Sequence, residues 1–191
     1  MEKRLYLKFP TKEDKENIIE FKNEFIFYNS SMAGSGGLDK FETFEEWLDK
    51  IIKDVKEETC GEGRVPSTLY LTYRISDNKL IGIIQIRHYL NDFLLFHGGH
   101  IGDSVRPTER GKGYATEQIS LALNECKKLN IKNVLMTCNR QNLASARTIQ
   151  KNGGELENEV EDKGEIIQRY WINLKKENIK ENNYNESNRS K

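Results

Sequence analysis

Apolar residues recur along this chain with two different periods, and the changes of period mark its elements. Ile18, Phe21, Phe25 and Tyr28 fall three or four apart, the spacing that gathers side chains on one helical face. Thr11 with Asp14 three residues on is a capping-box pattern that opens this helix. Phe44, Trp47, Leu48, Ile51, Ile52 and Val55 make the most continuous helical stripe, opened by Thr43 and Glu46. From Thr68 the period changes. Leu69 to Ile75 and Lys79 to Tyr89 are rich in β-branched and aromatic residues, and Ser76-Asp77-Asn78 between them predicts a hairpin. Arg4 to Phe9 and His100 to Val105 read as further strands. Ala115, Ile119, Ala122, Leu123, Cys126 and Leu129 return to the helical period. A buried-type strand follows over Asn133 to Cys138, and then a short helix over Leu143 to Lys151. Asn142 is placed to cap that helix and Gly153 or Gly154 to end it. Leu156 to Val160 and Ile166 to Leu174 complete the strands.

This order predicts an α+β domain of three layers. A mixed, mostly antiparallel sheet of six or seven strands is flanked by four helices over residues 1–174. Residues 175–191 are Lys, Glu, Asn and Ser apart from Ile179, Tyr184 and Arg189. They lack the apolar surface to offset their ordering entropy, so a disordered polar tail is expected.

Composition narrows the function classes. A chain of 191 residues is a domain of ordinary size that buries roughly two-thirds of its unfolded surface. Lys+Arg 30 against Asp+Glu 30 gives no net charge, which removes the electrostatic case for a nucleic-acid partner. Cys60, Cys126 and Cys138 are odd in number and lack metal-ligand spacing, so neither a disulfide framework nor a zinc site is expected. No apolar run reaches membrane-span length and the amino terminus has no signal-peptide core. A cytoplasmic protein without a membrane partner is expected.

The segment Arg110-Gly111-Lys112-Gly113-Tyr114-Ala115 lies between a strand and a helix start. Glycines there let the backbone approach an anion at the helix's free N–H groups, and Arg110 and Lys112 add charge. By physics alone a phosphate or pyrophosphate site competes evenly with a plain glycine-rich turn. A P-loop is excluded, because Arg106 stands where it needs glycine and Gly113 where it needs Ser or Thr. The three-glycine dinucleotide fingerprint is absent.

Val105-Arg106-Pro107 followed by Arg110-x-x-Gly113-x-Ala115 resembles the acyl-CoA loop of the GCN5-related N-acetyltransferases (GNAT), whose signature is Gln/Arg-x-x-Gly-x-Gly/Ala. The Asn142-x-x-Ser145 helix closed by Asn152-Gly153-Gly154, and the Arg169-Tyr170-Trp171-Ile172 strand, fit the same pattern. The resemblance implies acetyl transfer from acetyl-CoA to a primary amine, most simply of a small molecule, by direct attack on the thioester. It implies an opening between the strands ending at Val105 and Cys138, where pantetheine lies like an extra strand. It also implies an oxyanion held by a backbone N–H near Val105, and no metal. Asn142 is the residue this family places beside pantetheine. Val105, Arg106, the 110–115 loop, Asn142 and Ser145 are thus the expected acetyl-CoA contacts. Transfer to a hydroxyl and a non-catalytic acyl-CoA sensor stay open, as does a homodimer, since dimers are frequent in the family.

The proton-transfer groups are less legible. Many relatives carry a Glu near the position of His100, and an imidazole of pKa about 6.5 suits that task near neutrality. A hydrogen-bonded structural histidine is the stronger competitor. His88 has the parity of Ile84 and Ile86 and is the second candidate base. His97-x-x-His100 lacks a third local ligand beyond Asp92 and Asp103, so metal binding is not expected. Seven residues after Asn142 the family often has a tyrosine that protonates the leaving thiolate. Ile149 stands there, and Tyr170 and Tyr114 are the candidate substitutes. Gly34-Ser35-Gly36-Gly37 falls in the region that closes over the acceptor, although a flexible connector explains it equally well. The alternating Glu155, Glu157, Glu159 and Glu161 read as a solvated strand face.

Overall fold

The strands divide between two hydrogen-bonded sheets. In the computed structural model, which describes residues 3–175, β1 (Leu5–Lys8), β2 (Ser67–Arg74), β3 (Leu80–Arg87) and β4 (Ile101–Val105) lie side by side, each antiparallel to the next. The second sheet has the order β5 (Asn133–Asn139), β7 (Glu165–Asn173), β6 (Glu155–Asp162), again antiparallel. The expected seven strands are present, but the single sheet is split between β4 and β5. The disordered tail expected from residue 175 falls, from 176 onward, outside the described residues.

Helices fill both faces of the first sheet. α1 (Lys15–Phe27) and α2 (Phe44–Lys53) bring Ile18, Phe21, Phe25, Trp47 and Ile51 against Leu69, Leu71, Tyr73 and Ile83. On the other face α4 (Tyr114–Lys128) packs Ile119, Ala122, Leu123 and Cys126 on Ile84, Ile86 and Ile101. That core continues through Val134, Met136, Tyr170 and Ile172 to Ala146 and Ile149 of α5 (Leu143–Lys151), so one apolar layer ties the two sheets together. Burying such a layer is the main favourable term in folding.

Thr43 accepts the Glu46 N–H and Glu46 reaches back to the Thr43 N–H, which completes the capping box of α2. The Thr11/Asp14 box opens a 3-10 turn (Lys12–Asp14) that precedes α1. A helix without counterpart in the hydrophobic pattern, α3 (Asp92–Phe96), follows β3 and is capped by Asn91. Five residues are too few to establish a period. β6 is exposed along nearly its whole length, and Glu157 and Glu159 pair with Arg169 and Arg140 at the surface.

Candidate active site

The split between the sheets is created at His100. Its N–H donates to the Leu135 carbonyl at 2.7 Å, and its Nδ1 accepts the Leu135 N–H at 3.0 Å. An imidazole thus holds the place that a strand carbonyl would take in a continued ladder, and β4 and β5 separate beyond it. The ring is buried, and its pKa falls to about 4, first through burial and then through the nearby Arg87 charge. His100 is therefore neutral with Nδ1 committed to an amide. The ring thus joins the two sheets at the β4–β5 junction.

Register decides what faces the gap. In the β3–β4 ladder the hydrogen-bonded residues of β4 have even numbers, as shown by Arg87 N–H to His100 O and Arg106 N–H to Ile81 O. The amides and carbonyls of Asp103 and Val105 therefore point away from β3 and into the gap. In the β5–β7 ladder Arg140 N–H bonds Ile166 O and Leu174 N–H bonds Lys132 O, so the backbone of Thr137 and Asn139 faces the gap from the other side. The Asp103 and Thr137 backbone groups and the Val105 N–H thus face the gap without a partner among the described residues, whereas Arg110 takes the Val105 carbonyl and the Asn142 N–H takes that of Asn139. The cleft has a volume of about 580 Å³ and opens between α4, α5 and the 30–33 segment.

The glycine loop sits at its mouth. Gly111 and Gly113 have φ of +78° and +81°, in the left-handed region open to glycine. The amides of residues 111–113 have no partner among the described residues, and the first turn of α4 leaves its own N–H groups free by construction. Gly111, Gly113, Tyr114, Ala115, Val105, Asn142 and Ser145 all line the cleft, and Asn142 caps α5 by accepting the Ser145 N–H at 3.1 Å. Arg110 lines it too, while tying Ser30 Oγ (2.7 Å) to the Val105 carbonyl (3.1 Å).

Two expected contacts, Arg106 and Lys112, lie outside the cleft lining. Arg106 is buried and ion-paired to Glu20 and Glu24, so it pins α1 to the end of β4 and does not reach the cleft. Lys112 turns to Glu109 at 2.8 Å. Tyr114 borders the cleft, and its hydroxyl accepts from Arg74 at 3.2 Å. His88 lies past the end of β3 with Nε2 2.8 Å from Thr68 Oγ1, outside the cleft lining. His97 turns toward Asp162 and His100 toward Leu135, so the two do not converge on a metal. Ile149 is fully buried in the core, and Tyr170 is buried with its hydroxyl on Gln168. Neither borders the cleft.

Two carboxylates line the cleft, and of these Glu109 is ion-paired to Arg74, Lys79 and Lys112 while Asp103 is not. Asp103 pairs in register with Ile84, which puts its side chain on the α4 face, where it is half-buried. Its carboxylate has no hydrogen-bond or ion-pair partner among the described residues, and burial raises its pKa to about 6. A carboxylate between Ile101 and Val105 in an otherwise apolar strand position was the available sequence signal. Sequence reasoning also missed Arg147 and Lys151, one turn apart on α5, which line the mouth without acidic partners among the described residues.

The acetyltransferase (GNAT) domain family model matches residues 4–155. No curated protein matches the sequence. Among solved structures, a GNAT-family acetyltransferase from Bacillus anthracis is 19% identical, with a TM-score of 0.60 over 89% of this chain and 95% of that one. The microcin C7 self-immunity acetyltransferase MccE, solved with acetyl-CoA and AMP, is 16% identical (TM-score 0.64; 91% and 94% covered). RimL, a ribosomal L7/L12 alpha-N-protein acetyltransferase solved with coenzyme A, is 13% identical (TM-score 0.65; 90% and 95% covered). At these identities the likeness shows the shared fold.

Proposed function

Because the chain belongs to the acetyltransferase (GNAT) domain family, we propose that the β4–β5 cleft seats acetyl-CoA and that the protein acetylates a primary amine with Asp103 as general base. The observation that carries this reading is the placement of one unpartnered carboxylate of raised pKa in a cleft beside the free amides of the glycine loop and the outward-facing backbone of β4. The pyrophosphate would meet the amides of residues 111–116 at the amino end of α4, where helix dipole and free donors favour an anion. Arg147 and Lys151 stand where a further phosphate of the same substrate could be neutralised. Pantetheine amides would pair with the edges of β4 and β5 as an added strand does.

Asp103 would take the proton of the amine, whose nitrogen attacks the thioester carbonyl. The N–H groups of Asp103 and Val105 point where the oxyanion would develop. Collapse expels the CoA thiolate. An ordinary thiol pKa of about 8.5 makes that anion a tolerable leaving group, so water can supply its proton and a tyrosine at position 149 is not required. A proton acceptor of matched pKa contributes about a hundredfold or more.

The test is release of free CoA from acetyl-CoA by the full chain across a panel of amines and alcohols. Turnover with amines is the expected result. CoA binding without turnover of any acceptor would convert the reading to a sensor, and turnover confined to alcohols would make it an O-acetyltransferase.

A further inference from the structure

Arg106 is buried and Arg87 half-buried, and their surroundings differ. Arg106 is fully buried against two carboxylates, Glu20 and Glu24. Arg87, at the end of β3, has no carboxylate partner among the described residues. Its Nη1 donates to the carbonyls of Gly98 and Gly99, both at 3.0 Å, and Nε and Nη2 have no partner among those residues. Burial lowers its pKa, yet a guanidinium stays protonated in proteins. A cation removed from water without a counter-charge is costly, and a ligand that brings the opposite charge relieves that cost.

Arg87 lines a cavity of about 210 Å³ with Ser67, Gln85, Arg64 and Asn91. Ser67 and Gln85 are buried and hydrogen-bonded to each other at 2.9 Å, so the floor is polar and already ordered. Arg64, half-exposed, has its charge matched by Asp54 at 3.3 Å, which leaves Arg87 as the unmatched cation.

The cavity lies over the ends of β2 and β3 that carry Ser67 and Arg87, and the Arg87 guanidinium reaches from it toward β4. Gln85 is opposite Gly102 in the β3–β4 register, so Gln85 and Arg87 share the face away from Ile84 and Asp103. A Cβ placed on Gly102 would lie 3.6 Å from Arg87 Nη2 and 3.1 Å from the Gly34 Cα. The guanidinium therefore sits beneath the strand residue that precedes Asp103, under the glycine-rich 34–37 loop. It occupies the face opposite α4, from which the glycine loop and α5 do not exclude a second substrate.

We propose that Arg87 binds a carboxylate of the acceptor, and that the acceptor is an amine of amino-acid size carrying that group. The inference rests on the acetyltransferase reading above. Its cavity is smaller than the roughly 300–1,000 Å³ of drug-sized sites, which suits a small acidic headgroup and disfavours a bulky acceptor. A carboxylate accepting two N–H bonds from Nε and Nη2 is the geometry that a guanidinium fork provides.

The test uses amino acids paired with their α-amides as acceptors, CoA release as the readout, and KM expressed per free base, because amidation also changes the amine pKa. Wild type should show KM values for the acids at least about tenfold below those of the amides. Arg87→Gln should erase that difference by raising the acid KM roughly ten- to a hundredfold, with the KM for acetyl-CoA unchanged. Arg87→Lys should recover part of it. Arg87 also holds two backbone carbonyls, so if a variant fails to fold, the acid–amide comparison in wild type decides alone. Equal KM for acid and amide overturns the inference, as does turnover of uncharged amines with none of any acid. In both cases the acetyltransferase reading survives. Absence of CoA binding in wild type would instead remove that reading, and this inference with it.

Discussion

The proposed cofactor side of the cleft and the proposed acceptor side are built from different parts of the polypeptide. On the cofactor side the groups offered are backbone: free amides of residues 111–116 and the facing edges of β4 and β5. On the proposed acceptor side the chemistry lies in side chains, Arg87 and Gln85, on the face of the sheet opposite to the Asp103 carboxylate. Backbone groups are indifferent to side-chain identity, so a short glycine motif suffices to encode the first. The second depends on which side chains happen to share a sheet face, and no local motif records that. A site of this kind can keep one cofactor while its acceptor changes.

The comparison breaks most visibly at Gly113. A Cβ there has room, with only Arg4 Nη2 at 3.6 Å, but φ of +81° disfavours it. Gly113→Asp should therefore fold with a modest loss of stability. It should also weaken CoA by at least a hundredfold, because a negative charge now faces the phosphates. Titration calorimetry showing unchanged CoA affinity would move the pyrophosphate site elsewhere. Asp103→Asn comes next. At neutral pH it should lower kcat about a hundredfold with CoA binding intact. Wild-type kcat should fall as pH drops through about 6, as the carboxylate takes up a proton, and the variant should lack that limb.

His100→Ala separates scaffold from chemistry. It leaves the Leu135 N–H without its acceptor, a loss of about 1–3 kcal/mol measured by denaturant unfolding. The folded pKa of His100, about 4, lies below the ordinary 6.5. The unfolded state thus binds more protons in that interval, so the stability from the neutral imidazole is full above pH 6.5 and is lost as pH falls toward 4. The variant should lack this part of the pH dependence of stability while retaining the Asp103 limb of kcat. The smallest effect on turnover belongs to Ile149→Tyr. Ile149 is fully buried, and its side chain lies against Gly154, where even a Cβ would approach it to 2.5 Å. A tyrosine should overpack the core by about 1–3 kcal/mol, read as a lower Tm, without raising kcat. A gain in kcat would show that position 149 reaches the thiolate after all.

Element order and the glycine loop were legible because both rest on local signals: helical and two-residue periods, capping pairs such as Thr43/Glu46, and glycines at a helix start. α3 was not, since Asp92–Phe96 is too short to show a period. Arg106 and Lys112 looked like phosphate ligands because they are basic and next to the loop. Their partners, Glu20, Glu24 and Glu109, are settled by how α1 and the 3-10 turn at Pro107–Glu109 pack. That Asp103, and not His100, has its titratable group free toward the cleft has a similar cause. Both lie in one apolar strand segment, and only the junction with Leu135 decides which of them is consumed by the scaffold.

The sequence by itself determined the elements, the family resemblance and the glycine-rich loop at the start of α4, since each follows from residues within a few positions of one another. Tertiary structure alone decided where the sheet splits, which carboxylate enters the gap, and that Arg87 lies under β4 without a counter-charge. Those outcomes depend on register between β3, β4 and β5, strands separated by long stretches of chain. A shift of one residue in that register would turn every side chain to the opposite face.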